Sequence, residues 1–170
     1  FSHHYNPTET LGGDFFTVLA LSDTEAGVFI CDVMGHGVRS ALVTTMVRAL
    51  VEELAHEAGD PGKLLTRINR DLSAMLKQAG TPMYTTAFYL VADIGRGELR
   101  YAKAGHPNPL HFDRATGAAA IFGGGRIADI GVAAGMAFDP EPDERVLRRV
   151  VDPVDAVVVD GVGAHGVRPH

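Results

Sequence analysis

The sequence has little that would allow a cysteine-based or membrane-based chemistry. Among its 170 residues there is one cysteine, Cys31, set in an apolar run. It can form no internal disulfide, and its setting reads as a small buried hydrophobe. No apolar stretch is long enough to span a bilayer, so no membrane insertion is expected. The opening Phe1-Ser2-His3-His4-Tyr5 is no signal peptide. There is no basic excess: the net charge is −6, which argues against nucleic acid or an anionic membrane as a partner. Gly-x-Ser-x-Gly and reactive-cysteine signatures are missing, as are internal repeats and low-complexity segments. A cytoplasmic location is the expectation. The lack of an initial Met points to a piece excised from a longer protein.

What remains is ordinary for a globular domain, with 46% apolar and 21% charged residues. One domain over residues 1–170 is expected. Residues 13–21 and 26–32 alternate as two strands about a Ser22-Asp23-Thr24-Glu25 turn. Val38, Leu42, Met46, Ala49, Leu50 and Leu54 recur at helical spacing and predict a helix over 38–57 with that face inward. A second helix is framed by Asp60 as cap, Pro61 in the first turn and Gly80 at the end. Thr85–Asp93 and Glu98–Ala104 read as strands about the turn Ile94–Gly97. Residues 110–112 and 119–122 read as a hairpin around Arg114–Gly117, and 123–135 as a glycine-rich loop. Arg145–Val151 and Ala156–Asp160 read as a last pair of strands joined at Asp152-Pro153. Strands, then two consecutive helices, then many short strands do not make alternating βαβ units. The pattern predicts an α+β fold of antiparallel sheets with helices outside.

Three aspartates close apolar strands beside glycine or a tight turn: Asp14, Asp32 and Asp160. A carboxylate there is costly unless it is paired, hydrogen-bonded or bound to a cation. All-oxygen shells suit hard divalent ions. The residues by themselves carry the reading only as far as an oxygen-ligand metal site, and a turn or cap role for each aspartate stays open.

An ordered set of motifs resembles the SpoIIE/RsbU-type serine/threonine phosphatases, a branch of the PP2C-like (PPM) superfamily. Leu11-Gly12-Gly13-Asp14-Phe15-Phe16 looks like their early Gly-Gly-Asp motif, with Tyr5-Asn6-Pro7 just before it. Asp32-Val33-Met34-Gly35-His36-Gly37, followed by Ser40-Ala41-Leu42, looks like their Asp-x-x-Gly-His-Gly motif at the head of the first long helix. Tyr84-Thr85-Thr86-Ala87-Phe88 resembles their central strand. Ala104-Gly105-His106-Pro107-Asn108-Pro109 is close to Ala-Gly-His-x-Pro, and Asp160-Gly161-Val162 sits where they have Thr-Asp-Gly.

That resemblance implies a PP2C-like layered sandwich of two antiparallel β-sheets flanked by α-helices. It implies two Mn2+ or Mg2+ ions, with Asp32 as bridging ligand, the Val33 carbonyl and Asp160 as further ligands, and Asp14 holding a metal or its water. A metal-activated water would then hydrolyse phosphoserine or phosphothreonine, with Asp14, Asp32 and Asp160 as the catalytic set. The implied substrate is a phosphorylated STAS-type anti-sigma factor antagonist, and the implied regulator an upstream sensor or receiver domain. His36 is open to two readings, shaping the metal loop or making a loop hydrogen bond; His106 reads first as a structural turn residue. His3 and His4 fall in an expected first strand, where successive side chains face opposite ways.

The chain departs from the family pattern at Thr17, where relatives often carry a second aspartate, at Val159 before Asp160, and at Ala164 after it. A final Asp-Asp-x-Thr-like motif is also missing, so truncation at the C-terminal end is expected, or else degeneration to a noncatalytic interaction module. A hydrolase of small phosphoesters is a third reading.

Overall fold

The computed structural model describes residues 12–78, 83–112, 118–121, 145–147 and 156–158. Strand β1 (Asp14–Ala20) and strand β2 (Glu25–Val33) form the expected hairpin. Ser22 closes the turn: its Oγ accepts from the backbone N–H groups of Thr24 and Glu25 at 3.2 and 3.0 Å. Helix α1 (Val38–Glu53) and helix α2 (Pro61–Gln78) follow. Then come β3 (Thr85–Asp93), β4 (Glu98–Ala104), β5 (Leu110–Phe112), β6 (Ala119–Ile121), β7 (Arg145–Leu147) and β8 (Ala156–Val158). A five-stranded sheet runs β1-β2-β3-β4-β7 and a three-stranded one β6-β5-β8, every described strand pair being antiparallel. The α+β class expected from element order is therefore the observed one.

Period-two alternation divides the large sheet into two faces. Phe29, Cys31, Val33, Ala87, Tyr89, Val91, Ala102 and Ala104 pack with helix residues Val47, Leu50, Val51, Leu64, Ile68 and Leu72 in the main core. Phe88, Leu90, Leu99 and Tyr101 form a second cluster on the opposite face. Helix α2 starts as expected: the Asp60 carboxylate accepts from the Lys63 N–H at 3.0 Å, a capping bond. Its apolar stripe, Leu64, Leu65, Ile68, Leu72 and Leu76, is buried. The expected end at Gly80 lies outside the described residues.

Three expectations are corrected. The first helix ends at Glu53, and Ala55–Glu57 is a separate 3-10 turn rather than its last turn. Its buried face is Ser40, Val43, Val47, Leu50 and Val51; of the expected stripe Leu50 and Leu54 are buried, whereas Val38 and Leu42 are 64% and 58% exposed. This helix is apolar on two sides, so periodicity alone cannot choose between them. One contact ties the buried side of the helix to the sheet: Thr44 Oγ1 donates to the Gly13 carbonyl at the head of β1 at 3.0 Å. The Ser40 hydroxyl, donating to the Gly37 carbonyl at 2.9 Å, is local to the helix start. Finally, β7 and β8 do not pair with each other. β7 extends the large sheet beside β4, and β8 joins the small sheet beside β5. Each covers a strand edge that would otherwise lack a ladder partner. The expected loop 123–135 and the strand expected around His3 and His4 lie outside the described residues. Among those described, no helix is long and apolar enough to cross a membrane.

One buried hydrogen bond ties the sheet to the connection between the helices. Tyr89, fully buried, donates its hydroxyl to the Ala58 carbonyl at 2.8 Å. Gly27 on the neighbouring strand leaves the ring its room, since a Cβ there would overlap the Tyr89 hydroxyl. Tyr89→Phe should therefore cost about 1–3 kcal/mol, the usual effect of leaving a buried carbonyl unsatisfied. Denaturant unfolding of the two proteins measures it, and an unchanged midpoint would contradict this account.

Candidate metal centre

The β1–β2 hairpin places Asp14 directly opposite Asp32. Directly paired residues of antiparallel strands share a face, with Cβ atoms about 5 Å apart, so both carboxylates stand together on the sheet face away from the helices. Next in the row is Thr86, opposite Asp32 on β3. Two of the three aspartates singled out in the sequence are thus brought together. Asp160 lies outside the described residues, and among those described no group of three His, Cys, Asp or Glu converges.

The surrounding backbone is fixed from three elements. The Val33 N–H donates to the Gly13 carbonyl at 3.1 Å and the Met34 N–H to that of Tyr84 at 2.8 Å. Thr85 Oγ1 donates to the Asp32 carbonyl at 3.1 Å. The Gly13 carbonyl also accepts from Thr44 on α1, which makes two bonds to the residue immediately before Asp14. The Val33 carbonyl oxygen lies so close to Gly13 that a Cβ there would overlap it. Gly35 and Gly37 adopt φ values of 92° and 78°, the left-handed region that favours glycine. Between them, His36 is exposed on the loop into α1.

The pair is electrostatically strained when fully ionised. Partial burial lifts the Asp14 carboxyl above its ordinary value, and a hydrogen bond from Asp32 offsets part of that. The Asp32 carboxyl is pushed up to about 6, first by burial, then by the charge of Asp14 and by the hydrogen bond between them. Two carboxylates sharing one proton behave as a unit. A hard divalent cation can replace that proton, and an all-oxygen donor set on a solvent-reachable strand end fits Mn2+ or Mg2+.

Among the described residues, Thr44, Thr85 and Thr86 were not singled out by sequence reasoning. Thr85 and Thr86 fell inside a recognised strand motif without a role. Thr44 has only one signal, a polar residue beside the buried stripe of α1.

Comparison with known proteins places the chain in a family. The family model for Stage II sporulation protein E (SpoIIE) matches residues 22–148, well over half of the chain. The chain belongs to the SpoIIE family. Phosphoserine phosphatase RsbP of Bacillus subtilis is 33% identical over 111 residues, covering 65% of this chain and 28% of RsbP. The chain therefore spans less than a third of that relative's length. The fold is shared with the RsbU and RsbW domains of Rv1364c from Mycobacterium tuberculosis (TM-score 0.67, 24% identity, 89% of this chain and 39% of that one). It is also shared with the SiaA-PP2C domain of Pseudomonas aeruginosa (TM-score 0.64, 22% identity, 83% and 52%).

The raised Asp32 pKa gives a signed expectation for the metal-free SpoIIE-family domain. A folded-state pKa above the ordinary 3.8 means that the folded state holds this proton more tightly than the unfolded chain. The resulting stability is fully present below the ordinary value and is lost as pH rises through about 6. Asp32→Asn cannot ionise. In EDTA its melting temperature, relative to the parent, should therefore rise between pH 4 and pH 8. A difference that does not change with pH would show that Asp14 and Asp32 do not repel.

Proposed function

We propose that this domain is a metal-dependent protein serine/threonine phosphatase that hydrolyses phosphoserine or phosphothreonine. The observation that carries the reading is the pairing of Asp14 with Asp32 on one strand-end face in a SpoIIE-family fold. Asp14 and Asp32 would hold the divalent ions, Mn2+ or Mg2+, with Asp160 and the Val33 carbonyl as further ligands. When bound, such ions lower the pKa of water and neutralise phosphoryl charge. The chain's own residues supply the rest. Asp32, central in the row between Asp14 and Thr86, would be the ligand shared by two ions. Thr85 and Thr44 keep the two carboxylates at a fixed separation through the backbone. Met34, Gly35 and His36, in the loop after Asp32, are exposed.

The phosphoprotein we assign as substrate is a phosphorylated STAS-type anti-sigma factor antagonist, with an upstream sensor or receiver domain as regulator. Support comes from membership of the SpoIIE family and from the likeness to RsbP, a phosphoserine phosphatase. The reading concerns the domain within its full chain, acting in the cytoplasm.

Asp32→Asn and Asp14→Asn in the full chain should each lower Mn2+-dependent phosphoprotein turnover by about a hundredfold or more, since removing one ligand charge weakens ion binding and fixes its geometry less well. Circular dichroism should show both variants folded. Turnover by the parent protein with free phosphoserine as the better substrate would favour a small-phosphoester hydrolase. Absence of turnover on either substrate would favour the noncatalytic module, to which Thr17, Val159 and Ala164 would then belong.

A further inference from the structure

The Ala-Gly-His-Pro motif has no part in the site as drawn so far, yet the structure ties it to the carboxylate row. The ring of His106 is 1% exposed, and its Nδ1 lies 2.8 Å from Thr86 Oγ1. Thr86 is the residue opposite Asp32, so Asp14, Asp32 and Thr86 stand abreast on three neighbouring strands. Gly105, at φ 65°, turns the chain after β4 and bridges to Ala87. That turn brings the imidazole up beside Thr86.

The Thr86 hydroxyl is consequently given a partner. It meets the imidazole, and the Thr86 methyl is on the side of Gly105, 3.6 Å from where a Cβ there would sit. Branching at Cβ leaves few χ1 wells, and the hydroxyl contact favours one of them. The adjacent Thr85 is used differently: it points to the helix side and its hydroxyl is engaged by the Asp32 carbonyl.

We propose that Thr86 is a substrate contact, its hydroxyl binding a phosphoryl oxygen beside the two carboxylates, and that His106 is the positioning residue that aims it. The inference rests on the phosphatase reading above. A neutral hydroxyl suits the third place in the row. A third carboxylate there would repel both its neighbours and the phosphate dianion, whereas a hydroxyl donates one hydrogen bond and adds no negative charge. Orientation in advance matters because a donor already aimed at the phosphoryl group needs no reorganisation during the reaction. In this arrangement His106 carries its proton on Nδ1 and donates it to Thr86 Oγ1, so the hydroxyl hydrogen is directed away from the ring and stays available for a phosphoryl oxygen.

The test uses Thr86→Val, Thr86→Ser, His106→Asn and the double variant Thr86→Val/His106→Asn, all in the full chain. Three quantities are read: kcat/KM on a phosphoprotein, affinity for inorganic phosphate in the presence of Mn2+, and affinity for Mn2+ alone by titration calorimetry. Thr86→Val should weaken phosphate binding and kcat/KM by about tenfold, the scale of one hydrogen bond to a charged group. Its Mn2+ affinity should stay within about threefold of the parent, since no ligand is lost. Thr86→Ser should restore most of both losses. The double variant should be no worse than Thr86→Val, because a residue acting through Thr86 has nothing left to act on. Unchanged phosphate affinity in Thr86→Val, equal losses in Val and Ser, or Mn2+ affinity falling in step would each overturn the proposal. The Thr86 variants decide it even where His106→Asn fails to fold. Lack of turnover by the unsubstituted protein would overturn the phosphatase reading and this inference together; a parent-like Thr86→Val in an active enzyme overturns this inference alone.

Discussion

Two like charges facing each other across a hairpin are the constraint on which the rest of this structure turns. Asp14 and Asp32 are neighbours by strand register, not by flexible side-chain reach, so they cannot move apart without breaking the β1–β2 ladder. Left alone they share a proton, and burial together with mutual repulsion lifts the Asp32 carboxyl to about 6. Such an arrangement is unfavourable as pure scaffolding and favourable as a receptor for positive charge. The fold holds the pair on the sheet face opposite its helices, which leaves the helix side free for a continuous apolar core.

Fixing that pair takes contributions from distant parts of the chain. Thr44 reaches from α1 to the carbonyl before Asp14, and Thr85 reaches from β3 to the carbonyl of Asp32 itself. Gly13 has no side chain, and the Val33 carbonyl occupies the space one would need. Each of these is a backbone contact, so the pair is positioned through its main chain. The second-face cluster of Phe88, Leu90, Leu99 and Tyr101 lies on the same side of the sheet as the carboxylate row.

Much of this was legible in the sequence where one physical signal dominated. Strand alternation and a polar turn gave the first hairpin, and once the turn is centred on Asp23 the register follows. Asp14 and Asp32 lie nine residues on either side of it, so an antiparallel pairing must set them opposite each other. Helix α2 was clear because cap, proline and a single apolar stripe agree. Helix α1 was not, because Val38, Leu42, Met46 and Ala49 make a stripe as apolar as the buried Val43, Val47, Leu50 and Val51. A contact that accompanies the buried side, the Thr44 hydroxyl on the Gly13 carbonyl, leaves no periodic trace. Strands β7 and β8 were misjudged as partners for a related reason. Short apolar runs say that a strand exists, but its neighbour depends on which distant edge is open. The roles of Thr44, Thr85, Thr86 and His106 belong to the same class, being set by contacts between residues 20 to 53 positions apart.

The central claim is that a divalent cation takes the place of the proton shared by Asp14 and Asp32. Calorimetric titration of Mn2+ into the full-length protein, repeated in buffers of different ionisation enthalpy, counts the protons released on binding. With the Asp32 carboxyl at about 6, the account predicts release of about half a proton near pH 6, falling toward zero by about pH 8, where the pair is already ionised. Binding with no proton release at either pH would contradict it.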